Sequence, residues 1–539
     1  MAKTPDDGPE AFRATISSGF VKPEASVTLR LGAALRDGAT FADLPVTASL
    51  ALLNRHGLVA GATGTGKTKT LQVLAEQLSA AGVPVFLADL NGDLSGMAAP
   101  GEASPRVMER AQACGVPFAP AAFPVEFLSL TGTHGAPVRA TVGDFGPLLL
   151  AKALDLNDTQ ASVLTMVFKF ADDQGLPLLD LADLRSVLSW LAGDDAPDLS
   201  QYGGLARSTA GVLARKLTEL EAQGAAGFFG EPAFDVRDLM RPAPDGRGVI
   251  SILELADVQD RPRLFSTFLM WLLAELYEEL PERGDVEKPL LVFFFDEAHF
   301  LFDDASKGLE EQVTNVVRLI RSKGIGIFFV TQTPKDVPAD VLAQLGNRVQ
   351  HALRAHTPDD AKKLKAAVGT FPRTAFYDLE ETLTTLGIGE AVVSVLAPNG
   401  APAPVVACRM VPPASRMAPL SEGEFAAAVA ASPLGARLGQ AIDRESAREM
   451  LAARMNRAAG GGDRRGETAS GDRTVPPTGP APGSATPVPP APKNAGPGAG
   501  ASVAAGAAAV LGGLFKFATS REGQRLIRGA LGTPTRRRR

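Results

Sequence analysis

An α/β fold, a mostly parallel sheet flanked by helices, is what this sequence predicts. Short, unbroken apolar runs recur between about residues 20 and 415, separated by stretches at helical spacing. The runs do not alternate apolar with polar residues, which is how strands read when helices cover both faces of a parallel sheet. One of them, GLVAGA at 57–62, passes directly into a glycine-rich loop and then into a helical pattern.

After 57–62 come VPVFLADL (83–90), GVISILEL (248–255), PLLVFFFDE (289–297) and GIGIFFVTQ (324–332), all of the same kind. RVQHALRA (348–355) and EAVVSVLA (390–397) read as further strands. The helix expected after the glycine-rich loop carries Leu71, Leu74, Ala75 and Leu78 on one face. Between 101 and 240 the strand signal nearly vanishes and segments such as SVLTMVFKF and AGVLARKLTELEAQG follow helical spacing, so a helical insertion is expected there. The organisation read from the chain is a lead-in (1–50), a core (51–100 and 241–415), the insertion (101–240) and a C-terminal helical segment (416–456). Residues 457–500 are rich in Pro, Gly and Ala and bury too little apolar surface to offset ordering, so a disordered linker is expected. Residues 501–539 form a basic amphipathic tail with eight Lys or Arg against Glu522.

The 539 residues carry 45% apolar and 21% charged side chains, enough for a large core in a globular protein. A net charge of −6 excludes a globally basic nucleic-acid coat, though not a basic channel. Cys114 and Cys408 stand far apart without metal-ligand spacing, which argues against a disulfide framework. The start lacks a signal pattern and the Ala/Gly-rich stretch 495–515 is too weakly apolar for a span, so a cytoplasmic protein without an integral membrane span is expected.

Gly61-Ala62-Thr63-Gly64-Thr65-Gly66-Lys67-Thr68 satisfies G-x-x-x-x-G-K-[ST]. Glycines let successive backbone N–H groups turn toward a β-phosphate, and the following helix presents its positive end to the same anion. Lys67 would add a point charge to the β/γ-phosphates and Thr68 a hydroxyl to Mg²⁺. ATP and Mg²⁺ are the ligands this pattern implies. Asp296, following the apolar run 290–295, is expected to hold the Mg²⁺ shell, and Glu297 to act as general base on the attacking water. Gln332 ends the next strand and is read as a contact to the γ-phosphate or its water. Asp89 would line the same crevice, because open α/β sheets bind ligands at the carboxyl ends of their strands. His299 completes D-E-A-H, yet the arginine-rich motif of two-domain helicases is missing, so a structural or coupling role is expected of it.

Leu309, Val313, Val316, Val317 and Ile320 make one apolar face of a helix stopped by Gly324, with Arg318 nearly opposite and Arg321 on the flank. Two readings stand: solvated arginines favoured by the helix dipole, or an arginine finger offered to a neighbouring subunit.

LLNRHGLVAGATGTGKTKTLQVLAE, VFLADLNGDLSG, LLVFFFDEAHFLFDDA, VVRLIRSKGIGIFFVTQTPKDVP and LGNRVQHALRAHTPDDAKKLKAA, in this order, resemble the bacterial HerA-like ATPases, and more narrowly the helicase HerA-like C-terminal domain proteins. The likeness spans about residues 15 to 455, and GGLFKFATSREGQRLIRGALG is similar to that group's tail. The resemblance implies a RecA-like core working as a homo-oligomeric ring, usually a hexamer, with composite active sites. It implies a trans arginine best matched by Arg321, then Arg318, with Arg348 and Arg354 as rivals. It also implies DNA as cargo, by analogy only. Residues 1–50 are too short for the N-terminal β-barrel of HerA, which leaves a nuclease partner unsupported. A DNA translocase or helicase-like motor is thus expected, with a P-loop ATPase that remodels a protein partner as the alternative. The tail is expected either to touch an anionic surface peripherally or simply to solubilise the chain's end.

Overall fold

The computed structural model describes residues 8–21, 28–284, 286–302, 307–355, 357–440, 442 and 444–462. Its strands are β1 (Thr28–Arg36), β2 (Ala39–Ser49), β3 (Gly57–Ala60), β4 (Val85–Asp89), β5 (Val125–Ser129) and β6 (Ala136–Pro137). Then follow β7 (Ile250–Glu254), β8 (Leu291–Phe295), β9 (Ile325–Thr331), β10 (Asn347–His351), β11 (Glu390–Ser394) and β12 (Val406–Met410). All join one sheet in the order β2-β1-β12-β11-β10-β3-β9-β8-β4-β7-β5-β6. From β10 through β6 every adjacent pair is parallel. The other margin, β10-β11-β12-β1-β2, is antiparallel.

Parallel neighbours need crossovers, and helices supply them. Lys67–Ala80 links β3 to β4, Pro262–Glu279 links β7 to β8, and Lys307–Ile320 precedes β9. Strand side chains alternate between two buried layers. Phe293 and Phe295 enter the larger core beside Phe86 and Phe268, while Phe294 joins Leu71, Leu74, Ala75 and Leu78 in the core on the opposite face. Burying each such phenylalanine stabilises the fold by roughly 2–3 kcal/mol. The α/β expectation holds, and each strand read between 57 and 397 is present but shorter than read, with β10 at Asn347–His351 rather than 348–355.

The stretch 101–240 is not wholly helical. It contains five α-helices, but also β5 and β6, which extend the sheet beyond β7. The strand signal failed because Glu126 interrupts the apolar run; its buried carboxylate bonds Ser432 and lies 3.4 Å from an Arg241 nitrogen. The lead-in 1–50 likewise holds the helix Pro9–Gly19 and the β1–β2 hairpin. Asp37-Gly38 turns that hairpin with φ of 51° and 76°, as a two-residue primed turn requires. The last helix, Ala447–Gly462, runs into the first residues of the expected linker. The remainder of 457–500 and the tail 501–539 lie outside the described residues. Among the described residues, no helix is long and apolar enough to cross a membrane.

Candidate nucleotide-binding site

The glycine-rich loop leaves β3 at the carboxyl edge of the parallel strands and is stitched to both neighbours. Gly61 N donates to Thr331 O at the end of β9 (3.2 Å), and Ala62 N donates to Ala352 O just past β10 (2.9 Å). Within the loop Thr65 Oγ1 donates to Ala62 O at 2.6 Å. All three glycines of the loop have positive φ, Gly66 at 114° among them. Gly64 has φ 76° and opens to solvent, while a Cβ on Gly61 would fall 2.5 Å from His351 Cβ. Lys67 is 7% exposed, and its Nζ reaches Ala62 O at 3.4 Å, folded back over the cradle. Thr63 is exposed and Thr68 half-buried at the start of the helix. The sequence-read residues from Gly61 to Thr68 therefore lie on one loop that runs into a helix N-terminus beside the buried Lys67 side chain, a form suited to an anion.

His351 lies beneath this cradle, and the sequence reading passed over it. Its ring is fully buried; Nδ1 lies 2.9 Å from Glu390 O and Nε2 2.9 Å from Thr70 Oγ1. A carbonyl only accepts, so Nδ1 donates to it and the Thr70 hydroxyl donates to Nε2. Burial, with the Lys67 charge adding, pushes the imidazole down to about 4 and keeps it neutral. Its place at the end of the strand segment RVQH was the only available signal.

Asp296 sits one residue past β8, with β9 between it and the loop strand β3. Its Oδ1 accepts from Glu297 N at 3.0 Å, whereas Oδ2 is buried and without a hydrogen-bond partner. Burial first, then the Glu297 and Asp89 charges, push this carboxyl up to about 7. The neighbouring strand ends continue the acidic row. Asp89 accepts from the N–H groups of Asn91, Gly92 and Leu94 and is pushed up to about 6, mainly by burial. Glu254 is pushed up to about 8 by burial and then by Asp89, and its Oε1 has no partner. Burial and mutual repulsion disfavour the ionised form of these carboxylates, and a cation at this edge would favour it. Among the described residues no three His, Cys, Asp or Glu are arranged to hold a metal by themselves. The unpartnered Asp296 Oδ2 suits a Mg²⁺ ion held in company with ligand oxygens.

Glu297 departs from the strand with φ 46°, a left-handed conformation costing on the order of 1 kcal/mol in a residue with a Cβ. Its Oε2 is 3.2 Å from His299 Nδ1 but out of line for a hydrogen bond. The His299 ring packs on Phe300, with centroids 4.6 Å apart. Gln332 is exposed at the end of β9, between the loop strand and the acid strand. An Asp336 carboxylate accepting from Thr331 Oγ1 (2.7 Å) and Thr333 N (2.9 Å) fixes the turn around it.

The arginines lie elsewhere. The helix Lys307–Ile320 runs back from the carboxyl edge, so Arg318 and Arg321 fall at the opposite, amino edge of the sheet, where β9 begins. Arg318 is exposed and donates to Asn315 Oδ1 at 3.1 Å. Arg321 acts on His56, buried just ahead of β3, whose imidazole is pushed down to about 4 by burial above all. Neither arginine reaches the loop of its own chain. Arg348 starts β10 rather than ending it, and its guanidinium donates to the carbonyls of Leu345, Thr370 and Leu342. Arg354 is exposed beyond β10 at the loop edge.

A family model described as helicase HerA-like C-terminal matches residues 35–539. The chain is similar to two proteins of Methanocaldococcus jannaschii, named probable helicase MJECL08 (29% identical over 154 residues) and probable helicase MJ1565 (27% over 146). Each match takes in 27% of this chain, and only 28% and 24% of those relatives' lengths are spanned. Among solved structures it is similar to the bacterial conjugative coupling protein TrwB, at 17% identity and TM-score 0.46, covering 72% of this chain and 93% of that one. VirB4 of Thermoanaerobacter pseudethanolicus is similar at 16% identity and TM-score 0.45, covering 72% and 98%.

Proposed function

The chain belongs to the helicase HerA-like C-terminal family, and from that premise we propose that it is an ATP-hydrolysing motor working on DNA. One observation carries the hydrolytic half: the cradle Gly61–Thr68 and the Asp296–Glu297 pair share one sheet edge, separated by β9, and Asp296 Oδ2 is buried without a partner. In this reading the backbone of Gly61, Ala62, Thr63, Gly64, Thr65 and Gly66 holds the phosphates, with Lys67 countering their charge. Thr68 and Asp296 would hold Mg²⁺, which when bound would supply positive charge to offset that of the phosphates. Glu297 accepts the proton of the attacking water, and Gln332 orients that water or senses the γ-phosphate.

The amino-edge position of Arg321 and Arg318 favours an assembly in which one copy's arginine serves the next copy's site, a closed homo-oligomeric ring, most simply a hexamer. Cyclic packing would set repeated loops around a channel. A few lysines or arginines per copy, multiplied by symmetry, would grip a phosphate backbone despite the acidic net charge. DNA enters this reading through the family's description and through the names of the relatives as helicases.

The test is the ATPase rate with and without double-stranded DNA, single-stranded DNA and RNA across a salt series. Stimulation by DNA that ignores sequence and falls steeply with salt is expected, because phosphate contacts release counterions. A ring that hydrolyses ATP at a rate indifferent to every nucleic acid at low salt would replace DNA with a protein as the cargo.

A further inference from the structure

Ile388 is the most exposed large apolar residue among those described, at 74%. A single exposed isoleucine is ordinary in itself. Its setting is not. It stands between Gly387 and Gly389 on the turn leading into β11, and that turn is pinned to the phosphate cradle. Gly389 N donates to Thr65 O at 2.9 Å, and a Cβ on Gly66 would lie 3.2 Å from the Gly389 backbone. Arg110 donates from Nη1 to Gly389 O (3.0 Å) and from Nη2 to Ile388 O (2.9 Å). At the other side Gly387 N donates to Glu390 Oε2 (2.8 Å), and the Glu390 carboxylate pairs with Arg409 at 3.0 Å. Gly389 itself has φ 72°, and a Cβ there would meet Arg110 at 2.9 Å. The turn is therefore rigid, and its one side chain is held out in water.

The sheet order tells which part of a nucleotide would pass this residue. β9 and β8, carrying Gln332, Asp296 and Glu297, lie on one side of the loop strand β3, and β10 then β11 lie on the other. With the terminal phosphate toward the acid pair, the ribose and base must leave the cradle toward β10 and β11. That is where the pinned turn crosses. We propose that Ile388 is the apolar contact for the base of the bound nucleotide, a preformed shelf that covers one face of the ring. The proposal rests on reading Gly61–Thr68 as the phosphate site. A rigid apolar shelf loses no ordering entropy when the base settles on it, and both surfaces leave water.

The experiment uses the full chain, with ADP and inorganic pyrophosphate as probes, each with Mg²⁺, in titration calorimetry. Ile388→Ala and Ile388→Asp are compared with the wild type, and Lys67→Ala marks the loss of the phosphate site. The side chain is exposed, so both variants should melt at the wild-type temperature without nucleotide; Ile388→Ala serves if the charged variant does not. Weakening of ADP by about tenfold, with pyrophosphate affinity unchanged, is the expected result. ADP affinity unchanged in both variants overturns the proposal, as does pyrophosphate weakening in step with ADP, since Ile388 would then merely support the loop. Wild-type protein that binds pyrophosphate as tightly as ADP removes the base contact alone. Wild-type protein that binds neither, like Lys67→Ala, removes the phosphate reading and this inference with it.

Discussion

The carboxylate of Glu297 and the imidazole of His299 face each other across 3.2 Å, and the left-handed backbone at Glu297 brings them together. In an extended strand, residues two apart share a face but project side by side. The positive φ instead folds the chain back at Glu297, so the carboxylate swings away from the strand axis toward a residue of the following turn. The pair makes His299 a candidate for positioning the proposed base, although the two are not aligned for a hydrogen bond.

Replacing His299 with Ala should lower kcat by about tenfold while leaving KM for ATP near wild type, because the imidazole orients a group needed for the chemical step and not for binding. His299→Gln, which keeps a polar group on a side chain of similar reach, should recover part of the loss. A fall in nucleotide affinity with kcat unchanged would point to a purely structural histidine.

Lys67→Ala and Glu297→Gln should separate binding from hydrolysis. The first removes the buried ammonium of the cradle and should abolish tight nucleotide binding. The second keeps the cradle intact and should bind ATP and stall before cleavage. Wild-type turnover by Glu297→Gln would sink the base assignment.

Arg321→Ala should fold, assemble and bind ATP, yet lose on the order of a thousandfold in turnover if its guanidinium serves a neighbouring copy. Mixing it with Lys67→Ala should restore some activity, because a fraction of mixed interfaces pairs an intact cradle with an intact arginine. Mixed assemblies confirmed by mass and still inactive at every ratio would remove the trans role.

Glu254 offers a pH test on stability. Its carboxyl has an ordinary value near 4.5 and is pushed up to about 8 in the folded chain, so the folded state holds the proton more tightly than the unfolded one. Unfolding therefore releases a proton between those values, and the nucleotide-free protein loses stability as pH rises through that window. Glu254→Gln, which cannot ionise, should melt with the wild type near pH 4 and increasingly above it toward pH 8. A gap that stays constant across this range would show that Glu254 does not titrate as its burial implies.

By itself the sequence determined the α/β sheet, the glycine-rich loop that leaves β3 and the Asp296-Glu297 pair that follows β8, because each is written in contiguous residues. GATGTGKT follows its own strand, and five apolar residues precede Phe295 and Asp296. Local chemistry leaves such segments few alternatives. Only the tertiary structure decided the rest. β5 escaped notice because the partners that make Glu126 tolerable in a strand, Arg241 and Ser432, come from distant parts of the chain. His351 under the loop and Ile388 beside it have no motif; their places depend on β10 lying beside β3 and β11 beside β10, a matter of sheet order. The arginines obey the same rule. Helical spacing can turn Arg318 and Arg321 away from the core, but the direction in which that helix crosses the sheet puts them at the edge away from their own cradle. Sheet order and helix direction arise from burial summed over the whole chain, which no local pattern of residues encodes.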